Sequence, residues 1–168
     1  MEVLLDLPEK IEEIAYADLS SQQKELYKEA VALTVSSDIS VRFSEVDSLG
    51  IVWHGHYITY FEDGREAFGR KYGIAYLDVF ENGYTTPIVK TTLEHKLSLR
   101  YGEVARIETT IVDTPAAKMI YRFRIYNSEN EIVCTGETIQ VFLDQKEELM
   151  LTNPPFYTEW KRKVGLEK

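Results

Sequence analysis

The stretch DSLGIVWHGHY at residues 47–57 decides the fold, because it joins a strand pattern to the clearest helical pattern in the chain. Ile39, Val41 and Phe43 alternate with polar residues, which predicts a half-buried strand over residues 39–43. Residues 47–50 have the composition of a turn, and a helix is predicted over residues 55–72. Asp47 is therefore expected beside the beginning of a helix, where backbone N–H groups lack partners within the helix.

A carboxylate next to such amides is suited to acyl-transfer chemistry. Asp47 could attack a substrate carbonyl directly or act as a base on water. The N–H groups of His54 and Gly55 are candidates for an oxyanion hole, and His54 could orient water or contact the carbonyl. The plain alternative is that Asp47 is only a turn or N-cap residue and that the histidines are surface residues.

The predicted helix carries one apolar stripe, which indicates that it lies on a broad apolar surface such as the face of a sheet. Gly64 interrupts this stripe and predicts the close crossing of another backbone, while Gly73 is placed to end the helix. The stripe indicates core packing more than substrate contact. Its members are Tyr57, Phe61, Gly64, Phe68 and Tyr72.

Four more strand patterns follow, over residues 89–99, 105–111, 119–125 and 132–143. The short turns between them favour antiparallel pairing. The apolar parity changes across Gly136, which predicts a β-bulge at that glycine. A short helix is predicted near the C-terminus, over residues 156–164. Residues 1–37 are predicted to form an N-terminal helical extension, and residues 38–168 the main domain.

One helix cannot cover both faces of a five-stranded sheet, and the sheet would also keep open edges. Pairing of two subunits is the usual way to protect such edges, so we expect a homodimer.

Composition limits the class of protein. The 168 residues are typical of one domain with an ordinary apolar content of 44%. A net charge of −9 disfavours a nucleic-acid partner. Cys134 is the single cysteine, so no internal disulfide can form, and a cytoplasmic location is expected. No apolar run approaches the roughly 20 residues of a membrane span.

The pattern Asp47-x-x-Gly50-Ile51-Val52-Trp53-His54-x-x-Tyr57 resembles the 4-hydroxybenzoyl-CoA thioesterase family of hotdog-fold proteins, which includes Tol-Pal-associated acyl-CoA thioesterases. A second match begins at Thr86-Pro87-Ile88-Val89, and the resemblance covers about residues 38–144. It implies an α+β hotdog fold, in which a curved antiparallel five-stranded sheet wraps a long central helix. It also implies dimers or tetramers with active sites at subunit interfaces.

The resemblance further implies an acyl-CoA thioesterase, with an acyl carrier protein thioester as the alternative substrate and with no cofactor. By position, Asp47 matches the family's catalytic carboxylate, and His54 matches a histidine of the Tol-Pal-associated branch. We therefore predict Asp47, His54 and Gly55 as catalytic. Substrate contacts are predicted at the remaining matched positions, which are Trp53, Tyr57, Pro87, Ile88, Val89 and, for the CoA phosphates, Lys118.

Other assignments stay open. Glu62 and Asp63 compete for the carboxylate role, although adjacent helical positions point in different directions, so at most one could face the site. A metal site is not expected, because His54 and His56 do not share a helical face. The alternative functions are a protein that binds acyl thioesters without cleaving them, or a hotdog dehydratase with His54 as base.

Overall fold

The computed structural model describes residues 20–22 and 33–167. The chain divides into two units, Met1–Leu33 and Thr34–Lys168, and the sheet with its helices belongs to the second unit. Most of the predicted N-terminal helical extension, residues 1–37, lies outside the described residues, and its last four residues, 34–37, belong to the first strand. In the part of the chain that the structure describes, no helix is both long and apolar enough to cross a membrane.

The domain is a five-stranded antiparallel sheet with one long helix, which confirms the predicted α+β architecture. In chain order the elements are β1 Thr34–Ser40, α1 His56–Tyr72, α2 Tyr76–Glu81, β2 Ile88–His95, β3 Val104–Val112, β4 Lys118–Tyr126, β5 Ile132–Val141 and α3 Pro155–Lys163. The strands lie in the order β1-β3-β4-β5-β2, so β1 and β2 form the two edges.

Helix α1 ends as predicted, at a left-handed Gly73, but the first strand differs from its prediction. Strand β1 begins at Thr34 and ends at Ser40, whereas the alternating pattern suggested residues 39–43. Val41 is buried after the strand ends, and Phe43 opens a 3-10 turn with its side chain exposed. Ile39 and Val41 are therefore both buried, as the alternating pattern predicted, but Phe43 is exposed and lies outside the sheet.

The helix packs on the sheet through aromatic rings and two glycines. The ring of Phe61 stacks on that of Phe123 in β4, with 4.4 Å between centroids and an interplanar angle of 9°. Gly136 in β5 makes room for this ring, because a Cβ atom there would lie 2.3 Å from Phe61 Cζ. The prediction of a bulge at Gly136 is wrong, since Gly136 pairs in register with Phe123 and Leu93.

The irregularity in β5 lies three residues earlier. Ile125 pairs with Cys134 and Tyr126 pairs with Ile132, which leaves Val133 as the extra residue. The carbonyl of Val133 accepts hydrogen bonds from the N–H groups of Lys96 and Leu97, at 2.9 and 3.1 Å. A bulge at this position lets both Val133 and Cys134 be buried, and it brings the end of β2 against β5.

Gly64 marks the second close approach between helix and sheet. A Cβ atom on Gly64 would lie 2.3 Å from Thr109 Oγ1 and 3.0 Å from Ile107 Cδ1. The neighbours are thus side chains of β3 and not the crossing backbone that the sequence suggested. Thr109 Oγ1 is buried and, among the described residues, has no hydrogen-bond partner, so nothing draws it away from the helix.

We expect Gly64→Ala to lower the free energy of unfolding by about 1–3 kcal/mol, because overpacking at Thr109 outweighs the better helix propensity of alanine. In a Thr109→Ala background the same change should cost clearly less. Urea unfolding at one fixed protein concentration measures both, and the double-mutant cycle isolates the contact. Equal costs in the two backgrounds would show that Thr109 is not the obstacle.

Candidate active site

The turn that carries Asp47 is closed by backbone pairing. Val46 and Val52 form an antiparallel bridge, and the Asp47 N–H donates to the Ile51 carbonyl at 2.9 Å. Gly50 has a φ of +74° and donates its N–H to the Asp47 carbonyl at 3.0 Å. This left-handed position favours glycine, which is why the spacing of Asp47 and Gly50 in the sequence fixes the turn.

The Asp47 side chain is half-buried and held at one oxygen. Its Oδ1 atom accepts a hydrogen bond from the Leu49 N–H at 2.8 Å. Within the described part of the chain, Oδ2 has no hydrogen-bond partner. One oxygen therefore orients the carboxylate while the second is available to water or substrate.

Two further hydrogen bonds attach the turn to its surroundings. The Val52 N–H donates to the Leu99 carbonyl at 2.8 Å, and the Trp53 N–H donates to the Glu45 carbonyl at 2.9 Å. Ile51 also forms a bridge with Arg100. Leu99 is fully buried, so the segment after β2 anchors the junction between Asp47 and helix α1.

A side-chain link that the sequence did not reveal ties this junction to the helix. Glu45 Oε2 accepts hydrogen bonds from the Arg42 N–H and from the Tyr60 hydroxyl, both at 2.8 Å. Tyr60 is buried, and burial together with the charge of Glu45 raises the pKa of Tyr60 well above its ordinary value. Its hydroxyl therefore stays protonated and remains a donor to Glu45. Neither residue belongs to a recognisable motif.

At the start of the helix, the ring of Trp53 leaves no room for a side chain on residue 55, so this position needs glycine. A Cβ atom on Gly55 would lie 2.0 Å from Trp53 Cζ3. The imidazoles of His54 and His56 pack around the same indole, with centroids 4.8 and 5.6 Å away. Trp53 is 47% exposed and His54 is also exposed, so this aromatic group lies at the surface around the helix start.

The backbone N–H groups just before helix α1 have no hydrogen-bond acceptor among the described residues. Among the described residues, neither the N–H of His54 nor that of Gly55 donates a hydrogen bond, whereas the next N–H, of His56, donates to the Trp53 carbonyl at 2.9 Å. Unpaired donors on the two residues that precede α1 are the kind of arrangement that an oxyanion hole needs.

The predicted substrate-binding residues fall into two groups at opposite ends of β2. Trp53 and Tyr57 belong to the first group, and the Tyr57 ring meets His95, the last residue of β2, at 5.0 Å. Tyr57 is buried, which raises the pKa of its hydroxyl. This burial places Tyr57 in the wall of the junction, with its ring packed on Tyr60 and His95.

The second group lies where β2 begins. Ile88 pairs with Gln140, the Val141 N–H donates to the Pro87 carbonyl at 3.2 Å, and Lys118 pairs with Val141. Seven steps of a strand separate Ile88 from His95, or roughly 23 Å. Within one chain, the Pro87–Lys118 group is therefore remote from the helix start.

The remaining carboxylates of α1 point in different directions, as adjacent helical positions must. Glu62 lines a cavity of about 230 Å³ near Ile88. Asp63 lies on the flank that faces Arg42 and Glu45, and partial burial together with Glu62 raises its pKa. None of the residues lining this cavity belongs to the 47–57 stretch, so the cavity is also at the remote end.

The Tyr60–Glu45 contact can be tested by stability. Tyr60→Phe should lower the free energy of unfolding by about 1–3 kcal/mol, because the buried side of Glu45 loses its hydroxyl donor. Tyr72→Phe, on the same helix and only partly buried, is the matched control and should change stability little. Chemical denaturation of both variants gives the comparison. A loss no larger for Tyr60→Phe than for the control would show that the hydrogen bond does not support the junction.

Comparison with known proteins identifies the chain as a hotdog protein of the thioester hydrolase class. The chain belongs to the Thioesterase-like superfamily, whose family model matches residues 41–161. This confirms the family that the 47–57 motif resembles, and the predicted class of enzyme.

Individual relatives agree with this assignment. YneP of Bacillus subtilis (strain 168), provisionally named an acyl-CoA thioesterase, is 33% identical over 65% of this chain and 79% of its own length. The acyl-CoA thioester hydrolase YbgC of Escherichia coli O6:H1 is 23% identical over 63% and 79% of the two chains. The crystal structure of a DHNA-CoA thioesterase from Staphylococcus aureus superposes with a TM-score of 0.71. It is 25% identical and covers 79% of this chain and 91% of its own.

Proposed function

We propose that this protein is an acyl-CoA thioesterase that hydrolyses its substrate to a free carboxylate and CoA. The observation that carries the proposal is the position of Asp47, oriented through one oxygen in a turn that is hydrogen-bonded to the segment entering helix α1. The names of the relatives YneP and YbgC support an acyl-CoA substrate.

In this mechanism the free N–H groups of His54 and Gly55 bind the thioester oxygen as negative charge develops on it. Asp47 acts by one of two routes. As a base it removes a proton from water, whose oxygen bonds to the acyl carbon while the C–S bond breaks and the CoA thiolate leaves. As a nucleophile it forms a mixed anhydride with release of the thiolate, and water then cleaves the anhydride. Both routes need the ionised carboxylate.

We further propose that the active form is a homodimer joined through β2. Strand β2 is an edge, and two apolar side chains at its beginning, Ile88 and Val89, are 39% and 59% exposed. Exposed apolar edges of this kind invite pairing with a second strand. Around a two-fold axis the two β2 strands run antiparallel, so the Ile88 end of one lies beside the His95 end of the other.

This pairing would unite the two groups of substrate-binding residues. Tyr57 and the helix start lie beside His95 of one subunit, and Pro87, Ile88 and Lys118 would come from the other. Each site would then contain Asp47 from one chain and the beginning of β2 from its partner. The roughly 23 Å that separate the groups within a chain would disappear across the interface.

Replacement of Asp47 tests the chemistry. Asp47→Asn keeps the shape and the oxygen that accepts from Leu49 but removes the charge, so we expect kcat/KM to fall by about 100-fold or more. The assay is thiol release from acyl-CoAs and from acyl carrier protein thioesters. Asp38→Asn, an exposed change on β1, is the control and should leave the rate unchanged. Normal turnover by Asp47→Asn would remove this residue from the mechanism.

Product analysis distinguishes the alternative functions in the same experiment. Free CoA and a carboxylic acid are expected. Formation of an enoyl thioester would instead indicate dehydration, and recovery of unchanged, tightly bound thioester would indicate a binding protein.

The interface can be tested by introducing one charge. Val89→Asp should shift the dimer to monomer and reduce activity together with it, because it would bury a charged side chain in the apolar contact between the paired strands. Val104→Asp, at a valine of similar exposure in β3, should do neither. Analytical ultracentrifugation and thiol release at the same concentrations measure both effects. A Val89→Asp protein that remains an active dimer would place the interface elsewhere.

A further inference from the structure

The cavity beside Ile88 differs chemically from the Asp47 turn. It has a volume of about 230 Å³ and lies between helix α1, helix α2 and the sheet. Apolar side chains form most of its wall, together with one guanidinium and two carboxylates from α1. The wall includes Ile74, Val79, Ile88, Met119, Tyr121 and Arg65. Its volume is below the 300–1,000 Å³ typical of sites for larger ligands, which suits a short acyl group.

Arg65 is the unusual member of this wall. It is half-buried, and its Nη1 donates only to a neutral oxygen, Thr138 Oγ1, at 3.3 Å. No ion pair among the described residues involves Arg65. Burial lowers the pKa of its guanidinium, and an arginine nevertheless stays charged at neutral pH. A partly desolvated cation with several unused N–H donors is therefore directed at the cavity.

Two carboxylates, those of Glu62 and Glu66, also line the cavity, but among the described residues neither forms an ion pair with Arg65. Glu66 is paired with Arg70 at 3.0 Å. Glu62 is exposed and lies outside ion-pair distance of Arg65, and its charge acts against the lowering of the Arg65 pKa by burial. At the base of the cavity, Gln140 is already engaged, since its Nε2 donates to the Thr86 carbonyl at 2.6 Å. Burial raises the pKa of the Tyr121 hydroxyl, so this group remains protonated. The cavity thus presents apolar walls, two carboxylates on α1 and one guanidinium that forms no ion pair among the described residues.

We propose that this cavity receives the acyl chain of the substrate and that Arg65 selects acyl groups ending in a carboxylate. The proposal rests on the proposed function, because β2 pairing would bring the Ile88 end of one chain, with its cavity, to the Asp47 turn of the partner. The planar guanidinium can bind a carboxylate through two parallel N–H···O bonds, while Ile74, Val79 and Met119 contact the methylene chain.

The test compares matched substrates. Glutaryl-, adipoyl-, pimeloyl- and suberyl-CoA are each paired with the unsubstituted acyl-CoA of the same chain length, from pentanoyl- to octanoyl-CoA. In the wild-type enzyme we expect kcat/KM to favour the carboxylated member of at least one pair by about tenfold or more. A preference for the unsubstituted member at every length would overturn the proposal.

Variants identify the residue responsible. Arg65→Gln should remove the preference by slowing the carboxylated substrates while leaving the unsubstituted ones nearly unchanged, and Arg65→Lys should restore part of it. Arg162→Gln, an exposed arginine on α3 that does not line the cavity and whose partner Glu159 does not line it either, is the matched control and should keep the wild-type ratio. An undiminished preference in Arg65→Gln would assign the selection to another group.

A second readout separates this inference from the proposed activity. Calorimetric titration with the same pairs, using Asp47→Asn to prevent turnover, gives the ratio of the two affinities directly. Absence of hydrolysis by the wild type with all substrates would refute the thioesterase proposal alone, since the affinity ratio is still measured. Equal affinities within every pair would refute the role of Arg65, whether or not the enzyme is active.

Discussion

The close approach of helix α1 to the sheet is the constraint on which the other features depend. Phe61 can stack on Phe123 only because Gly136 has no side chain beneath that ring. Gly64 allows the same approach over β3, where Thr109 occupies the space that a Cβ atom would need. These contacts fix the helix in both position and rotation, and they therefore fix where its first turn lies relative to the strands.

A fixed helix start gives the Asp47 turn a rigid support. The turn is joined on one side to Glu45, which also accepts from Tyr60 in the second turn of α1, and on the other side to Leu99 after β2. A group that must meet a developing charge has to be positioned before the reaction, since reorientation would add to the barrier. The packing of Phe61 and Gly64 thus contributes to the chemistry proposed for Asp47 although neither residue touches substrate.

The fold and the site were predictable from the sequence to different extents. The spacing of Asp47 and Gly50 specified a turn and the aromatic stripe specified a helix, because these are local preferences carried by adjacent residues. Gly136 was misread because a glycine in a strand signals either a bulge or a close approach, and only the position of Phe61 decides between them. The Glu45–Tyr60 bond joins residues 15 positions apart and has no periodic signature.

The separation of the predicted substrate contacts is itself informative. A single chain with Asp47 at one end of β2 and a cation-bearing cavity at the other cannot use both on one short substrate.

The negative charge of −9 also means that a polyanionic ligand is attracted only where local cations overcome the general field. Half-buried Arg65 is less screened by water and salt than the exposed Arg42 or Arg100, so its effect on an anionic acyl group should be larger. The open β2 edge and the distance between the cavity and the Asp47 turn thus both support the proposal that a second subunit completes the site.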